Sequence, residues 1–226
     1  MSNEPVATLK PAAEPLGPRW RRRKEARPGE ILSAALDIFL ERGYEAARLE
    51  DIAKRAGCTK GTIFLYYPGK AELFKATVRE AMIPVLKSAE QDFAGHTGSA
   101  RELLESLLRQ RWGIFFHSRW SALPGMILAE GTKFPELTRF FHDEVFARSH
   151  ALYARILEEG VRKGEFRPMD TQQVARLAMA PIVLGILWRQ SFESVVTTPL
   201  DTTSFFENAL DQFFRGIAAT PPGASA

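Results

Sequence analysis

The sequence predicts an all-α protein of about nine helices. A three-helix unit containing a helix-turn-helix would stand at the N-terminus, followed by a C-terminal helical unit. Three observations carry this expectation. Apolar residues recur every three or four positions, and no segment alternates at strand spacing over any length. The stretch from Ala46 to Lys70 reads as two short helices around a glycine turn. Charge is also partitioned: residues 1–75 hold 14 Lys and Arg against 10 Asp and Glu, whereas residues 76–226 hold 16 against 17, so all the positive excess of this +3 chain lies in its first third. With 226 residues and 45% hydrophobic content, the chain can bury a substantial core in two compact units.

The elements follow in chain order. Residues 1–18, with four prolines and few large apolar side chains, are expected to be disordered. Residues 19–74 form the expected basic arm and reading domain. Its start, Arg19-Trp20-Arg21-Arg22-Arg23-Lys24, places five cations in six residues. A flexible arm carrying Arg21, Arg22, Arg23 and Lys24 can follow phosphates or enter an adjacent minor groove. The alternatives are a solvated charge run or a membrane-surface patch, and no amphipathic apolar face accompanies the run as a membrane helix requires. Ile31, Ala34, Ala35, Leu36 and Phe39 then mark the stripe of a first helix, ended by Gly43 and Tyr44.

Leu49, Ile52, Ala53 and Ala56 define a second helix, and Gly57 supplies the left-handed turn residue. Thr59 is the hydroxyl N-cap of a third, from Lys60 to Tyr66, which Pro68 and Gly69 end. Small Ala53 lets the pair cross closely, with Ile63 between them. Outward there remain Thr59, Lys60, Thr62 and Tyr66, with Gly61 offering no side chain to hold off a phosphate. A short helix entering the major groove by its N-terminus needs such a surface. A plain helical hairpin in a core is the alternative, and the neighbouring charge favours DNA.

The segment from about Gly29 to Phe74 resembles the DNA-binding domain of the tetracycline-repressor (TetR) family of transcriptional regulators. The resemblance rests on I-L-S-A-A-L-D-I-F-L-E-R-G-Y, D-I-A-K-R-A-G, T-K-G-T-I-F-x-Y-Y-P-G-K and the following A-E-L-F, about a fifth of the chain. It implies DNA contacts from Thr59, Lys60, Gly61 and Thr62, and a phosphate contact from Lys70. Two departures alter the usual set. Arg48 stands where the family has a capping threonine and offers a longer cation; Phe64 stands where it has a tyrosine and lacks the hydroxyl. Tyr66 projects from a different helix face and does not replace it.

Residues 75–218 are expected to form the second domain, with helices near 70–94, 100–117, 119–131, 135–161, 171–195 and 203–218, before a disordered tail at 219–226. Pro84 predicts a kink or break. The run from Leu177 to Trp188 is apolar on all sides but spans 12 residues, too few to cross a membrane. Such a helix must be covered on all sides, and the last helix carries an aromatic stripe. A homodimer interface through Ile182, Ile186, Phe206, Leu210, Phe213 and Phe214 covers both, as the resemblance also implies, with a self-contained core as the alternative.

Between reader and interface the chain is rich in aromatics. The resemblance implies an effector pocket here, and Trp112, Phe115, Phe116, His117, Trp120, Met126, Phe141 and Trp188 are its candidate lining for a small apolar or aromatic molecule. Arg119, His117, His142 and Arg139 are candidate polar anchors. Core packing is the competing reading for each ring. The segment F-P-E-L-T-R-F-F-H-D-E-V is also loosely similar to C-terminal domains of family members found near efflux-pump genes.

No metal or other cofactor is expected, because His117, His142, Asp143 and His150 lack ligand spacing. Cys58, the only cysteine, reads as a small semi-buried residue of the turn rather than a redox sensor. No phosphate loop, nucleophile elbow or triad spacing marks an enzyme. A cytoplasmic location without membrane partners is expected. The chain thus reads as a ligand-responsive regulator, most simply a repressor, binding a pseudo-palindromic double-stranded operator as a homodimer. The alternative is a DNA-binding regulator with no small-molecule inducer, answering to a protein partner or to redox state.

Overall fold

The computed structural model describes the backbone of residues 19–118, 120 and 123–219, and side chains from residue 27 onward within those ranges. The arm side chains Arg21, Arg22, Arg23 and Lys24, the anchor Arg119 and the extension 1–18 therefore lie outside the described residues. Nine helices form among the described residues: α1 (Arg19–Ala46), α2 (Leu49–Arg55), α3 (Lys60–Phe64), α4 (Lys70–Gly95), α5 (Ala100–His117), α6 (Leu123–Glu130), α7 (135–162), α8 (Thr171–Ser191) and α9 (Thr202–Ile217). An N-terminal helix-turn-helix domain is joined to a C-terminal helical domain, as the sequence predicts.

α1, α2 and α3 close around Ile31, Ala35, Leu36, Phe39, Ile52 and Ile63, all fully buried. The backbone at Arg19–Lys24 is already the start of α1, which corrects the expected flexible arm. Gly43 breaks the helical path of α1 with φ +78°, a conformation that only glycine adopts without strain. Ion pairs of Arg42 with Asp51 and Arg55 with Glu41 fasten α1 to α2.

α4 belongs to both domains, so the expected boundary at 74/75 falls inside one continuous helix. Leu73, Phe74, Val78, Met82 and Leu86 are buried along it, Phe74 against Phe39 and Tyr44 of the reader. The helix runs through Pro84 without ending. Buried Met82 and Leu86 hold both of its halves on the core and offset the hydrogen bond that proline removes.

α7 is one helix in three stretches: Pro135–Phe141 is α-helical, His142–Phe146 is a π turn, and Ala147–Arg162 is α-helical again. The expected α6 and α8 ends are trimmed, to Leu123–Glu130 and Thr171–Ser191. Asp170 caps α8 through the N–H groups of Gln172 and Gln173, and Asp201 caps α9 through those of Thr203 and Ser204.

Candidate DNA interface and effector cavity

The reading head is built around its turn. Ala56 ends α2, Gly57 takes φ +62°, and the Cys58 N–H returns to the Ala53 carbonyl at 2.9 Å. The Thr59 hydroxyl caps α3 by accepting the Thr62 N–H at 3.1 Å, and the two threonine hydroxyls lie 2.9 Å apart. Thr59, Lys60 and Gly61 are exposed at the start of α3, Thr62 is half-buried, and Ile63 is buried beneath them. The Lys60 ammonium holds the Glu50 carboxylate at 2.7 Å, so a phosphate would compete with that pair. Arg48 is the exposed N-cap of α2 and makes no side-chain capping bond.

α3 ends at Phe64, two residues short of expectation, which places Tyr66 on the turn beyond it, half-buried. Phe64 is 47% exposed and its neighbour Leu65, which the sequence reading passed over, is 81% exposed. Together they extend the outer face with apolar surface of the kind that meets thymine methyls or sugars. Burial pushes the Cys58 thiol above its usual pKa, leaving less thiolate at neutral pH than in a free cysteine.

Lys70 has a different task from the one expected. Its ammonium donates to the carbonyls of Tyr44, Glu45 and Ala47 at 2.8, 2.9 and 3.1 Å. Those are its three donors, so none is left for phosphate. Burial lowers its pKa, against the opposing carboxylates of Glu130 and Glu45. Lys70 pins the chain leaving α1 to the start of α4.

The same final turn of α1, beyond the break at Gly43, is held from the second domain. The Glu130 carboxylate, at the end of α6, accepts the N–H groups of Tyr44 at 3.0 Å and Glu45 at 2.8 Å. Tyr44 also packs edge-on to Phe134 and Phe74, with ring centres 4.8 and 5.3 Å away.

A cavity of about 320 Å³ lies between α5, α6, α7 and α8, with a wall that is almost wholly apolar. Phe115, Ile127, Phe141, Val145, Phe146, Met179, Ile182 and Ile186 supply most of that wall, and exposed Leu128 and His142 mark where it reaches the surface. The π turn lies along one side. Such turns are frequent at functional sites because they re-aim side chains without ending the helix.

Of the predicted ligand residues, Phe115, Phe141 and the candidate anchor His142 line this cavity. Trp112 is core, stacked between Phe116 at 3.8 Å and Phe206 at 4.3 Å. A Cβ on Gly185 would stand 2.5 Å from the Phe116 ring, so that glycine admits an aromatic stack rather than a ligand. Met126 is buried beside Tyr44 and Phe134. His117 and Arg139 are exposed, while Trp120 and Trp188 lie partly buried off the cavity. The Trp188 indole N–H is buried without a hydrogen-bond partner.

The predicted dimer residues are likewise relocated. Ile182 and Ile186 face the cavity, and Phe206, Leu210 and Phe214 are buried within the chain. Phe213 alone stays half-exposed. The exposed apolar side chains of α8 are instead Leu177, Leu184 and Leu187, at 62, 49 and 38% exposure. An all-round apolar helix has two faces to cover, and sequence does not say which one the chain covers itself.

The polar group that sequence reasoning missed is Arg111. It lines the cavity at 6% exposure and donates to the Ser149 hydroxyl at 2.9 Å. The signal was present: Leu104, Leu107, Leu108, Arg111 and Phe115 share one helical stripe, with a cation among the apolar residues.

Comparison with known proteins agrees with this architecture. Residues 31–77 match the family described as bacterial regulatory proteins, tetR family, and residues 95–196 match the tetracyclin repressor-like C-terminal domain. The uncharacterised HTH-type transcriptional regulator YdeS of Bacillus subtilis (strain 168) is 27% identical over 209 residues, covering 89% of this chain and 95% of YdeS. Among solved structures, SmeT, the repressor of the Stenotrophomonas maltophilia multidrug efflux pump SmeDEF, superposes with a TM-score of 0.70 at 19% identity, over 87% of this chain and 94% of that one. FadR of Bacillus subtilis, solved with stearoyl-CoA, does so with a TM-score of 0.66 at 22% identity, over 84% of this chain and 98% of that one. Both halves of the chain, reader and cavity domain, are accounted for by one lineage: the protein belongs to the TetR family of DNA-binding transcriptional regulators.

Proposed function

We propose that this protein is a homodimeric repressor that sets two α3 helices in successive major grooves of a pseudo-palindromic operator and is released by a small, largely apolar effector bound in the α5–α8 cavity. The observation that carries the reading is the run of α6 from cavity to reader. Ile127 and Leu128 stand on the cavity wall, and two residues later Glu130 holds the backbone of Tyr44 and Glu45. An effector that shifts α6 therefore shifts the reader. A second path supports it: Arg79 of α4 pairs with Glu144 of the π turn at 3.1 Å, and α4 begins at the Lys70 anchor.

On the DNA side, Thr59, Lys60, Gly61 and Thr62 approach phosphates and base edges, with Arg48, Phe64 and Tyr66 flanking them and the arm residues Arg21 to Lys24 adding phosphate contacts. Paired heads must stand about 34 Å apart to match one helical turn. The second copy docks on the exposed face of α8, through Leu177, Leu184 and Leu187, beside the outer face of α9 with Phe213. For release, the effector must prefer the mismatched spacing by about 1.4 kcal/mol for each tenfold shift.

The test combines a thermal-shift screen with operator gel shifts. A compound that raises stability with concentration and lowers operator affinity is expected. Lys60→Ala combined with Thr62→Ala should abolish specific binding in a folded protein. Unchanged operator affinity of that variant refutes the contact assignment.

A further inference from the structure

Arg111 sits on the wall of an otherwise apolar cavity, 94% buried by the complement of its 6% exposure. A guanidinium has five N–H donors, and here the hydrogen bond to Ser149 at 2.9 Å is its only one among the described residues. The Ser149 hydroxyl gives its own proton to the Val145 carbonyl at 2.9 Å, so it meets Arg111 as an acceptor and carries no charge. No Asp or Glu lies within ion-pair distance of Arg111 among the described residues; besides Ser149, the guanidinium has the Phe115 ring 5.7 Å away. Nearly all other arginines so deeply placed are neutralised by a carboxylate, because an uncompensated buried charge is costly.

The rest of the wall deepens the contrast. Tyr153, 2% exposed on the same wall, makes no hydrogen bond through its hydroxyl among the described residues. A buried cation and a buried tyrosine thus belong to the wall of one apolar chamber.

From this we infer that the effector is an amphipathic anion: an apolar body filling the space among Phe115, Ile127, Phe141 and Ile182, and a single oxyanion head group bound by Arg111 with help from Tyr153. A carboxylate fits the guanidinium fork in two parallel hydrogen bonds, and charge-assisted bonds in a low-dielectric chamber are the strong kind. A phosphate monoester presents the same oxyanion edge. The inference rests on the cavity being the effector site, and it adds the head-group chemistry that an apolar lining alone leaves open.

The test is calorimetric titration of the full-length protein with pairs that share one body. The probes are the straight-chain acids from hexanoate to dodecanoate and 4-phenylbutyrate, each against its primary amide, with decyl phosphate as the phosphate arm. At least one acid should bind about tenfold or more tightly than its amide. Arg111→Gln and the apolar isostere Arg111→Met should each remove that preference while leaving amide binding within about twofold. Arg111→Lys, which keeps charge and loses the fork, should restore part of it.

Tighter binding of decyl phosphate than of decanoate, lost in the same variants, assigns the head group as phosphate and supports the anion. Equal affinity for acid and amide throughout the series overturns the inference. So does failure of every acid and of decyl phosphate to bind, or an acid preference that survives Arg111→Met. Should both variants unfold, the acid-against-amide comparison in the unaltered protein still decides. An acid that binds through Arg111 without releasing operator refutes the proposed regulation and leaves the head-group inference standing; release by neutral amphiphiles alone does the reverse.

Discussion

The Glu130 carboxylate accepts the backbone N–H of Tyr44 at 3.0 Å, joining the last residue of α6 to the final turn of α1, beyond its break at Gly43. Its second oxygen takes the Glu45 N–H at 2.8 Å, and the Lys70 ammonium holds the carbonyls of the same turn from the other side. One turn thus has its amides fixed by the second domain and its carbonyls fixed by α4. Glu130→Ala leaves both amides without their charged acceptor. The expected cost is about 1.5–3 kcal/mol in urea unfolding, the range for a hydrogen bond to a charged group. The functional consequence is sharper: effector binding should persist while its effect on operator affinity shrinks. Full release by the variant shows that coupling runs through α4 alone.

Thr59 has a structural role as an N-cap before any DNA contact is considered. Thr59→Ala removes the acceptor for the Thr62 N–H at the start of a five-residue helix. A cap of this type contributes about 1 kcal/mol, and Thr59→Ser should retain most of it. Chemical denaturation measures the difference. Equal stabilities of the alanine and serine variants contradict the capping role.

Arg48 occupies an extended N-cap, with φ −114° and ψ 141°, and makes no capping bond. Threonine adopts that backbone and supplies the missing acceptor, so Arg48→Thr should raise stability by about 0.5–1 kcal/mol. Operator affinity should fall, and the slope of log affinity against log salt should flatten by about one, if the guanidinium meets a phosphate. An unchanged slope assigns Arg48 no phosphate.

Glu165 supplies an acid-sensitive joint. Burial raises its pKa, but the Ser99 hydroxyl at 2.7 Å and the N–H groups of Ala100 and Arg101 outweigh that and leave it below the usual carboxylate value. A folded pKa below the unfolded one gives stability that is present above the unfolded value, about 4.3, and is lost as pH falls through the folded one. Glu165→Gln should therefore narrow the stability gap between pH 7 and pH 3. Parallel pH–stability curves for the two proteins rule this out.

The reading domain was legible because its positions are fixed by local rules. Gly57 must turn, Thr59 must cap, and Ile63 must fill the crossing, and each is visible as a residue type at a spacing. The cavity was not, because a stripe of apolar residues is the same signal whether it meets a neighbour or a void. Trp112 met Phe206 and became core, while Phe115, three residues on, met the cavity. Lys70 misled for a related reason: a lysine near a helix start has the reach for phosphate, and only the fold reveals three carbonyls within its range. Arg111 is the buried charged side chain among the described residues, a cation on an otherwise apolar stripe.

The two faces of α8 give the most direct check on assembly. Leu177 and Leu184 lie seven residues apart on the exposed face, whereas Ile182 and Ile186 lie on the cavity face and are buried. A glutamate at Leu184 meets water in a monomer and an apolar partner in a dimer. Leu184→Glu is therefore expected to keep helical content and a cooperative melt while sedimenting as a monomer, and to lose most operator affinity because two heads no longer bind together. Ile182→Glu puts a carboxylate on the cavity wall that carries Arg111, away from the proposed contact between copies, and should affect dimerisation only as far as it affects folding. If Leu184→Glu sediments as the unaltered protein does and binds operator equally well, the second copy does not dock on this face.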